Sequence, residues 1–443
     1  MMVSVSKLIS LTILKRRFAT PNFRFSSDVD AEIGHCARKR ARVKPTNEMR
    51  HSMNRRDLLT SGAAATFMSG FSAARAQQRP QRLQSPGVYI ENRRRNFEIT
   101  PLPTGITMFI GHFGSGLAAG ARARISASSE IPRGFAQALG LATAFFAAGG
   151  QTLLLVNAAR RGDGFTDYEA VLSELDGQSG QDFDLLLLVG AEALYPRETE
   201  RLSILYETAI RVARDHYGML LVEAPNVASG HQNWLADLSL NDPDVAAWGP
   251  HLQTSSGDTV APGPTIAGII ADTDNRMGVW KAPAGLGANI PGYQPALALN
   301  QAETQDMGLL NINPIRATNG QTVIWGARTL SSDPEWKYIP VRRLSRWIER
   351  SVDTGIRWAV FEENNINTWT ALRTQVEGFL NNIWREGGLQ GPNSRQAFYV
   401  RCDHMTMTPQ DMMNGLLRLE LGFAPLRPAE FIRLRFELEV QQP

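Results

Sequence analysis

The sequence predicts an α/β protein with a parallel-sheet middle domain, a smaller α+β domain after it, and an extended β-arm at either end. Three observations predict this. Between residues 98 and 295, short apolar runs of strand character alternate with segments of helical period, the pattern of strands joined by crossover helices. Between residues 296 and 430, two long amphipathic helices accompany only a few strands. At both ends, proline-bounded stretches read as lone strands, and a lone strand needs a sheet to join.

At 443 residues the chain is long enough for two or three domains with their own cores. A hydrophobic share of 43% with 20% charged residues is that of an ordinary globular protein. The formal net charge is only +3, and much of the excess arginine lies in the first 95 residues. No basic footprint for nucleic acid follows from this. Two cysteines, Cys36 and Cys402, stand far apart, which argues against a disulfide framework or a cysteine metal site. No run of about 18 apolar residues suggests a direct membrane span.

Residues 1–76 read as a leader. Its first half is rich in Arg and Lys and has no hydrophobic period. From Met53 the text changes: Arg55 and Arg56 precede a run of small and apolar residues from Leu58 to Ala74, and Ala74-Arg75-Ala76 supplies a small-x-small cleavage pattern. This resembles a twin-arginine export signal. A disordered leader, or a mis-set start codon with Met49 or Met53 the true start, is the other reading.

Residues 77–97 form the first arm. Gln77 to Pro86 is polar and extended. Ser85-Pro86-Gly87 is then a turn feeding the β-prone Val88, Tyr89 and Ile90. The residues alone leave open whether this strand joins its own sheet or a neighbour's.

In the middle domain, residues 98–295, strands are expected at Ile106–Gly111, Thr152–Val156, Leu185–Val189 and Met219–Glu223. Helices are expected at Gly134–Ala148, Tyr168–Leu175 and Thr199–His216. Leu202, Leu205, Tyr206, Ala209 and Ala213 make the apolar stripe of the last helix. Catalytic groupings are weak. Ser229, His231 and Asp237 could serve a serine hydrolase on paper, but two triad members on one loop have poor geometry, and no G-x-S-x-G turn is present. Asp272 and Asp274 read as turn residues capping backbone amides. His112, His216 and His251 stand alone, without metal-ligand spacing. Gly111-His112-Phe113-Gly114-Ser115-Gly116 lacks the lysine of a phosphate loop. No cofactor is expected, and the domain reads as non-catalytic.

The second domain, residues 296–430, centres on Trp336–Asn364. This stretch reads as a short strand, an amphipathic helix and a second strand over Trp358–Phe361. Leu344, Ile348 and Val352 form the helix's core stripe, with Trp347 beside them. Arg342, Arg346 and Arg350 share another face, and Glu349 can pair with Arg346. A solvated face is the plain reading of these arginines. Upstream, Asn319-Gly320 is a turn into Thr322–Trp325. Downstream, a helix capped by Asn367 or Thr368 buries Trp369, Leu372, Val376, Phe379, Leu380 and Ile383 and stops at Gly387. Ala397–Cys402 reads as a strand, and a further helix opens at Thr408-Pro409 and runs to Leu421.

The last arm is residues 431–443. Ile432, Leu434, Phe436, Leu438 and Val440 alternate with Arg433, Arg435, Glu437 and Glu439. This nine-residue strand spans about 30 Å at ordinary strand rise. It fits either an edge of its own domain or addition to another chain's sheet.

Several of these segments together resemble the contractile tail sheath proteins of phages and related injection machines. The matching stretches include Pro86-Gly87-Val88-Tyr89-Ile90-Glu91, and Phe145 to Gly150 with Ala148 where the family usually has Asn. They continue with Val245–Pro250, Ala267–Asp274 and the run Gly278-Val279-Trp280-Lys281-Ala282-Pro283-Ala284. Beyond these come Asn311–Arg316, Gly326–Leu330, Trp336–Asn364 and Pro428-Ala429-Glu430-Phe431. The resemblance covers about residues 86 to 435. It implies a subtilisin-like fold for the middle domain and strand exchange by both arms. It also implies a structural, non-enzymatic subunit that stacks helically around an inner tail tube protein, contracts, and contacts baseplate and tail terminator proteins. Arg342, Arg346 and Arg350 would then face the tube or a neighbour. Assembly would occur in the cytoplasm. The leader departs from the family pattern, which leaves twin-arginine export to the periplasm, as a non-contractile protein on the same fold, as a rival. A subtilisin-like hydrolase is the weaker rival.

Overall fold

The computed structural model describes residues 98–162, 164–176 and 183–430, together with a three-residue strand, β1 (Ile9–Leu11). Both arms and the leader residues Arg55, Arg56, Ala74 and Ala76 lie outside the described residues, as do Val88, Tyr89, Ile90, Ile432, Leu434, Phe436, Leu438 and Val440. In chain order, the main body runs β2 (Ile106–Gly111), β3 (Arg122–Ile125), α1 (Leu139–Ala147), β4 (Thr152–Asn157), α2 (Tyr168–Leu175) and β5 (Leu185–Leu188). It continues α3 (Thr199–Asp215), β6 (Met219–Glu223), α4 (His231–Asp237), β7 (Val245–Gly249), β8 (Leu252–Gln253) and β9 (Thr259–Val260). Then come α5 (Gly263–Met277), β10 (Gln294–Pro295), α6 (Gln301–Leu309), β11 (Asn313–Thr318) and β12 (Gln321–Ile324).

An eight-stranded sheet in the order β12-β11-β7-β6-β5-β2-β4-β3 organises this body. The inner strands run parallel, and β12 and β3 pair antiparallel at the two edges. Both faces are covered, which is why the strands read as continuous apolar runs. Met108, Ile110, Leu186 and Leu188 point to the face packed by α2 and α3. Phe109, Leu185, Leu187 and Leu221 point to the face packed by α1 and α5.

Two features of this body differ from the sequence reading. The sheet does not stop at residue 295: Asn313 and Pro314 of β11 pair with Trp248 and Gly249 of β7. The β11–β12 hairpin turns through Asn319 and Gly320, with φ of 51° and 74°, the left-handed pair a two-residue turn requires. Asp272 and Asp274 are not turn residues. They lie on α5, whose first turn carries Pro264 and whose face toward the sheet is buried. There Asp272 pairs with Arg276 one helical turn on.

The remaining elements are α7 (Ile339–Gly355), α8 (Ile366–Arg385), α9 (Ser394–Ala397), β13 (Phe398–Arg401), α10 (Pro409–Met413) and β14 (Leu419–Phe423). They share a third core, in which Leu344, Ile348 and Val352 of α7 meet Leu372, Val376, Phe379 and Leu380 of α8 and Leu421 of β14. β13 and β14 form an antiparallel pair, and β1 adds in parallel to the other edge of β14. Four expectations are corrected here. Trp358–Phe361 is not a strand: a 3-10 turn covers Arg357–Ala359, and Phe361 is fully exposed with φ 73°, which a strand cannot accommodate. The lead-in at Trp336 is a loop that touches β-geometry only at the single bridge Arg328–Tyr338. The helix from Thr408 ends after one turn at Gly415, φ 69°, so Leu419–Leu421 falls on β14. The cap of α8 is Asn365, whose side chain accepts from the Asn367 and Thr368 N–H groups.

Candidate functional site: the junction on α7

Helix α7 is capped at Tyr338, has Pro340 in its first turn, and buries most of its length. Its apolar stripe accounts for one side of that burial. The other side is electrostatic. Arg342 donates to both oxygens of Asp244, Nε to Oδ1 at 2.6 Å and Nη2 to Oδ2 at 2.8 Å. Arg346 makes a second fork to the same carboxylate at 3.1 and 2.7 Å and also binds Glu349 at 2.9 Å. Arg214 of α3 reaches Asp244 Oδ2 at 2.9 Å. The Asp244 side chain is completely buried, just before β7. Burial alone would raise its pKa, but hydrogen bonds and charge from Arg342 and Arg346 outweigh it and hold the carboxyl well below the usual range.

Arg343, one residue along, is 6% exposed. Its guanidinium binds Asp184 Oδ2 at 2.5 Å and both oxygens of Asp274, at 2.7 and 2.6 Å. Burial works against its charge, but the Asp274 and Asp184 carboxylates more than compensate and hold it firmly protonated. Asp184 in turn accepts the N–H groups of Gly105 and Ile106 at 3.0 and 2.7 Å. Because Asp184, Asp244 and Ile106 stand at the beginnings of β5, β7 and β2, α7 is clamped across the N-terminal ends of the parallel strands. The Arg342/Arg346/Arg350 face expected to be solvated, or to meet a tube or neighbour, is thus turned into the subunit, and Arg350 is 8% exposed. Bidentate Arg–carboxylate geometry explains how charges survive there.

The described residues next to both terminal segments come to α7 or to its cap. Behind the first arm, Ile99 is buried in the α7–α8 core. The Leu102 carbonyl accepts from Trp347 Nε1 at 2.7 Å, and the Leu102 N–H donates to Ser351 Oγ at 3.3 Å. A side chain at Gly355 would strike Ile99, at 2.7 Å from an added Cβ. Ahead of the last arm, Glu430 receives a fork from Arg328, Nε to Oε1 at 2.6 Å and Nη2 to Oε2 at 2.7 Å. The Tyr338 hydroxyl, at the cap of α7, donates to Oε2 at 3.0 Å, and Lys337 Nζ lies 3.8 Å away. Burial pushes the Glu430 carboxyl up, but Arg328 outweighs it and the net shift is downward.

The groups weighed for catalysis are held apart. His231 Nε2 faces the Pro225 carbonyl at 3.3 Å, and Asp237 accepts from the Tyr195 hydroxyl at 3.0 Å, while Ser229 is exposed on the loop before α4. His216 stacks on Phe183 at 4.7 Å, and His112 Nδ1 lies 3.2 Å from the Ala158 carbonyl. Cys402 is buried, which pushes its thiol up to about 12 and away from nucleophilic use. One titratable pair escaped the sequence reading. Glu223, at the end of β6, is 4% exposed, and burial together with the neighbouring Glu192 carboxyl raises it well above the usual carboxylate value. Among the described residues no group of His, Cys, Asp or Glu could hold a metal ion, and no helix is long and apolar enough to cross a membrane.

Sequence reasoning also missed Asp184 and Asp244 and assigned Asp274 to a turn, since no local pattern links the three to α7. Arg343 did leave a signal. It sits four residues after Ile339 and four before Trp347, so a charge interrupts an apolar stripe, and such a charge requires a buried counter-ion.

A doubly wound sheet and an appended helical domain, joined through α7, define the fold of the described residues. Comparison with known proteins agrees. Residues 331–439 match the family described as the phage tail sheath C-terminal domain. The tail sheath protein of Enterobacteria phage T4 is 29% identical over 175 residues, 39% of this chain and 26% of that protein. A putative prophage major tail sheath protein of Pseudomonas aeruginosa strain UCBPP-PA14 is 27% identical over 214 residues, 46% of this chain and 52% of that one. The chain thus spans about a quarter to a half of the curated relatives it matches. Among solved structures, the helical sheath of the anti-feeding prophage in its contracted state superposes with a TM-score of 0.66 at 28% identity, over 81% of this chain and 100% of the other. The contracted PVC sheath of an extracellular contractile injection system gives 0.65 at 25%, over 81% and 99%. Residues 331–439 thus match a tail sheath family, and the relatives and solved structures compared are contractile tail sheath proteins.

Proposed function

We propose that the chain is the repeating subunit of a contractile sheath. Copies assemble helically around an inner tube, linked by exchanged terminal strands, and contract to drive the tube through an envelope. The observation that carries this reading is the near-complete coverage of two contracted sheath subunits by a single fold. In this reading the middle layer, residues 98–295, is the subtilisin-like domain, residues 296–430 are the C-terminal sheath domain, and residues 77–97 and 431–443 are the linking arms. The three-stranded β1-β14-β13 sheet is the natural acceptor, because so small a sheet gains most from added strands. Inner tube, baseplate and terminator proteins are its proposed partners, and assembly is cytoplasmic. Arg342 and Arg346 serve here as internal clamps, so contact with the tube falls to other surfaces. Open helical assembly follows from heterologous contacts that do not close.

Negative-stain imaging tests the reading. Protein started at Met53 and protein started at Gln77 are each expected to form tubes, and a chain ending at Arg427 is expected to form none while keeping its thermal midpoint. Monomers in all three samples, with the Arg55-Arg56 leader cleaved on export, would favour the exported, non-contractile protein instead.

A further inference from the structure

We propose that Glu430 is the anchor of the C-terminal arm: its carboxylate fixes where the arm leaves the subunit and carries tension into the eight-stranded sheet. The inference rests on the strand-exchange reading above and adds to it the residue that bears the load.

The path of the chain carries the argument. After β14 ends at Phe423, the Ala424 N–H donates to the Ala397 carbonyl at 2.8 Å, and Pro425 bridges Leu389. Leu426, Arg427 and Ala429 are then exposed. Glu430 comes next and is bound by Arg328 and Tyr338, neither of which belongs to the β13–β14 sheet. Arg328 is itself immobilised. Its N–H donates to Asn313 Oδ1 at 2.7 Å, its carbonyl accepts from Asn313 Nδ2 at 2.8 Å, and its Nη1 donates to the Gly308 carbonyl. Asn313 is fully buried at the start of β11 and also donates to the Ala247 carbonyl of β7 at 3.0 Å. Tension on the arm therefore passes from Glu430 through Arg328 and Asn313 to β11 and β7.

Without this tie the same tension would act on β14. That strand is held to β13 by a ladder running only from Phe398–Phe423 to Arg401–Glu420, and pulling its end would open the ladder one bond at a time. A charged fork bound to a fixed arginine resists as a unit. The geometry also sets direction: the arm starts beside the cap of α7, the helix that holds the root of the other arm as well.

The test uses the full chain, the Glu430→Ala variant, and a chain ending at Glu430. In the isolated subunit, chymotryptic cleavage after Leu426 is expected to run on the order of tenfold faster in Glu430→Ala, with the thermal midpoint unchanged. Tubes of Glu430→Ala are expected to dissociate at lower urea than wild-type tubes, and the chain ending at Glu430 to form none. Equal cleavage rates, or tubes equally resistant to urea while the shortened chain forms none, would overturn the anchor alone. Normal tubes from the shortened chain would overturn the exchange reading and with it the load. A midpoint that falls equally when Glu430→Ala is made in the full and shortened chains would also overturn the anchor, because Glu430 would then serve the fold.

Discussion

Replacing Asp244 by asparagine lowers the thermal midpoint by on the order of 10 °C, from a loss of about 3 kcal/mol. The size follows from what remains. Arg214 can turn to Asp242, which it already contacts at 2.6 Å, and Arg346 retains Glu349. Arg342 keeps only its place over the Trp336 ring, 4.6 Å away, and stays buried without a counter-ion. The triple replacement Asp244→Leu, Arg342→Met and Arg346→Met should cost less than Asp244→Asn alone, because removing a whole buried ion cluster is milder than orphaning one part of it. Thermal melts by circular dichroism check both. The sign with pH is fixed as well. Asp244 is depressed in the fold, so its contribution is complete above the ordinary carboxylate value and fades as pH falls below it. The gap between wild type and Asp244→Asn should narrow on acidification because the wild type loses stability.

Arg343→Met is expected to cost about 3–5 kcal/mol at pH 8. It leaves Asp184 and Asp274 facing one another, with side-chain exposures of 10% and 2%. Two such carboxylates cannot both stay charged cheaply, so one takes up a proton and its pKa rises in the folded state. An acid raised on folding contributes most at low pH and loses that contribution as pH rises through its folded value. The variant should therefore recover part of its stability near pH 4. Here the gap to wild type narrows because the variant gains, the opposite origin from Asp244→Asn, and urea midpoints followed from pH 8 to pH 4 separate the two. A pH-independent loss in Arg343→Met would mean that the two carboxylates do not meet.

Much of the sheet was legible because its strands are buried on both faces. Ile106–Gly111, Tyr168–Leu175 and Met219–Glu223 occur with the bounds read from periodicity alone. Signals failed where tertiary contacts override local pattern. Trp358–Phe361 is apolar and β-prone, but Trp358 Nε1 donates to Gln375 on α8 at 2.8 Å, which fits a turn between helices rather than a strand. Leu419–Leu421 continued a helical pattern, but pairing with Val400 and Arg401 draws it into the sheet. The arginine stripe misled for a related reason. Spacing shows which side chains share a helix face, but not that Asp244, nearly a hundred residues earlier, waits beneath it. The resemblance to sheath proteins fared better, since it rested on segments spread through both domains, among them Gly278–Ala284 and Pro428–Phe431.

Helical reconstruction of assembled tubes by cryo-electron microscopy tests the central claim most directly. Residues 431–440 should appear as a strand paired to the β13–β14 sheet of a neighbouring subunit, leaving their own subunit beside Arg328. The same residues paired within their own subunit, in tubes held together by other contacts, would contradict the account.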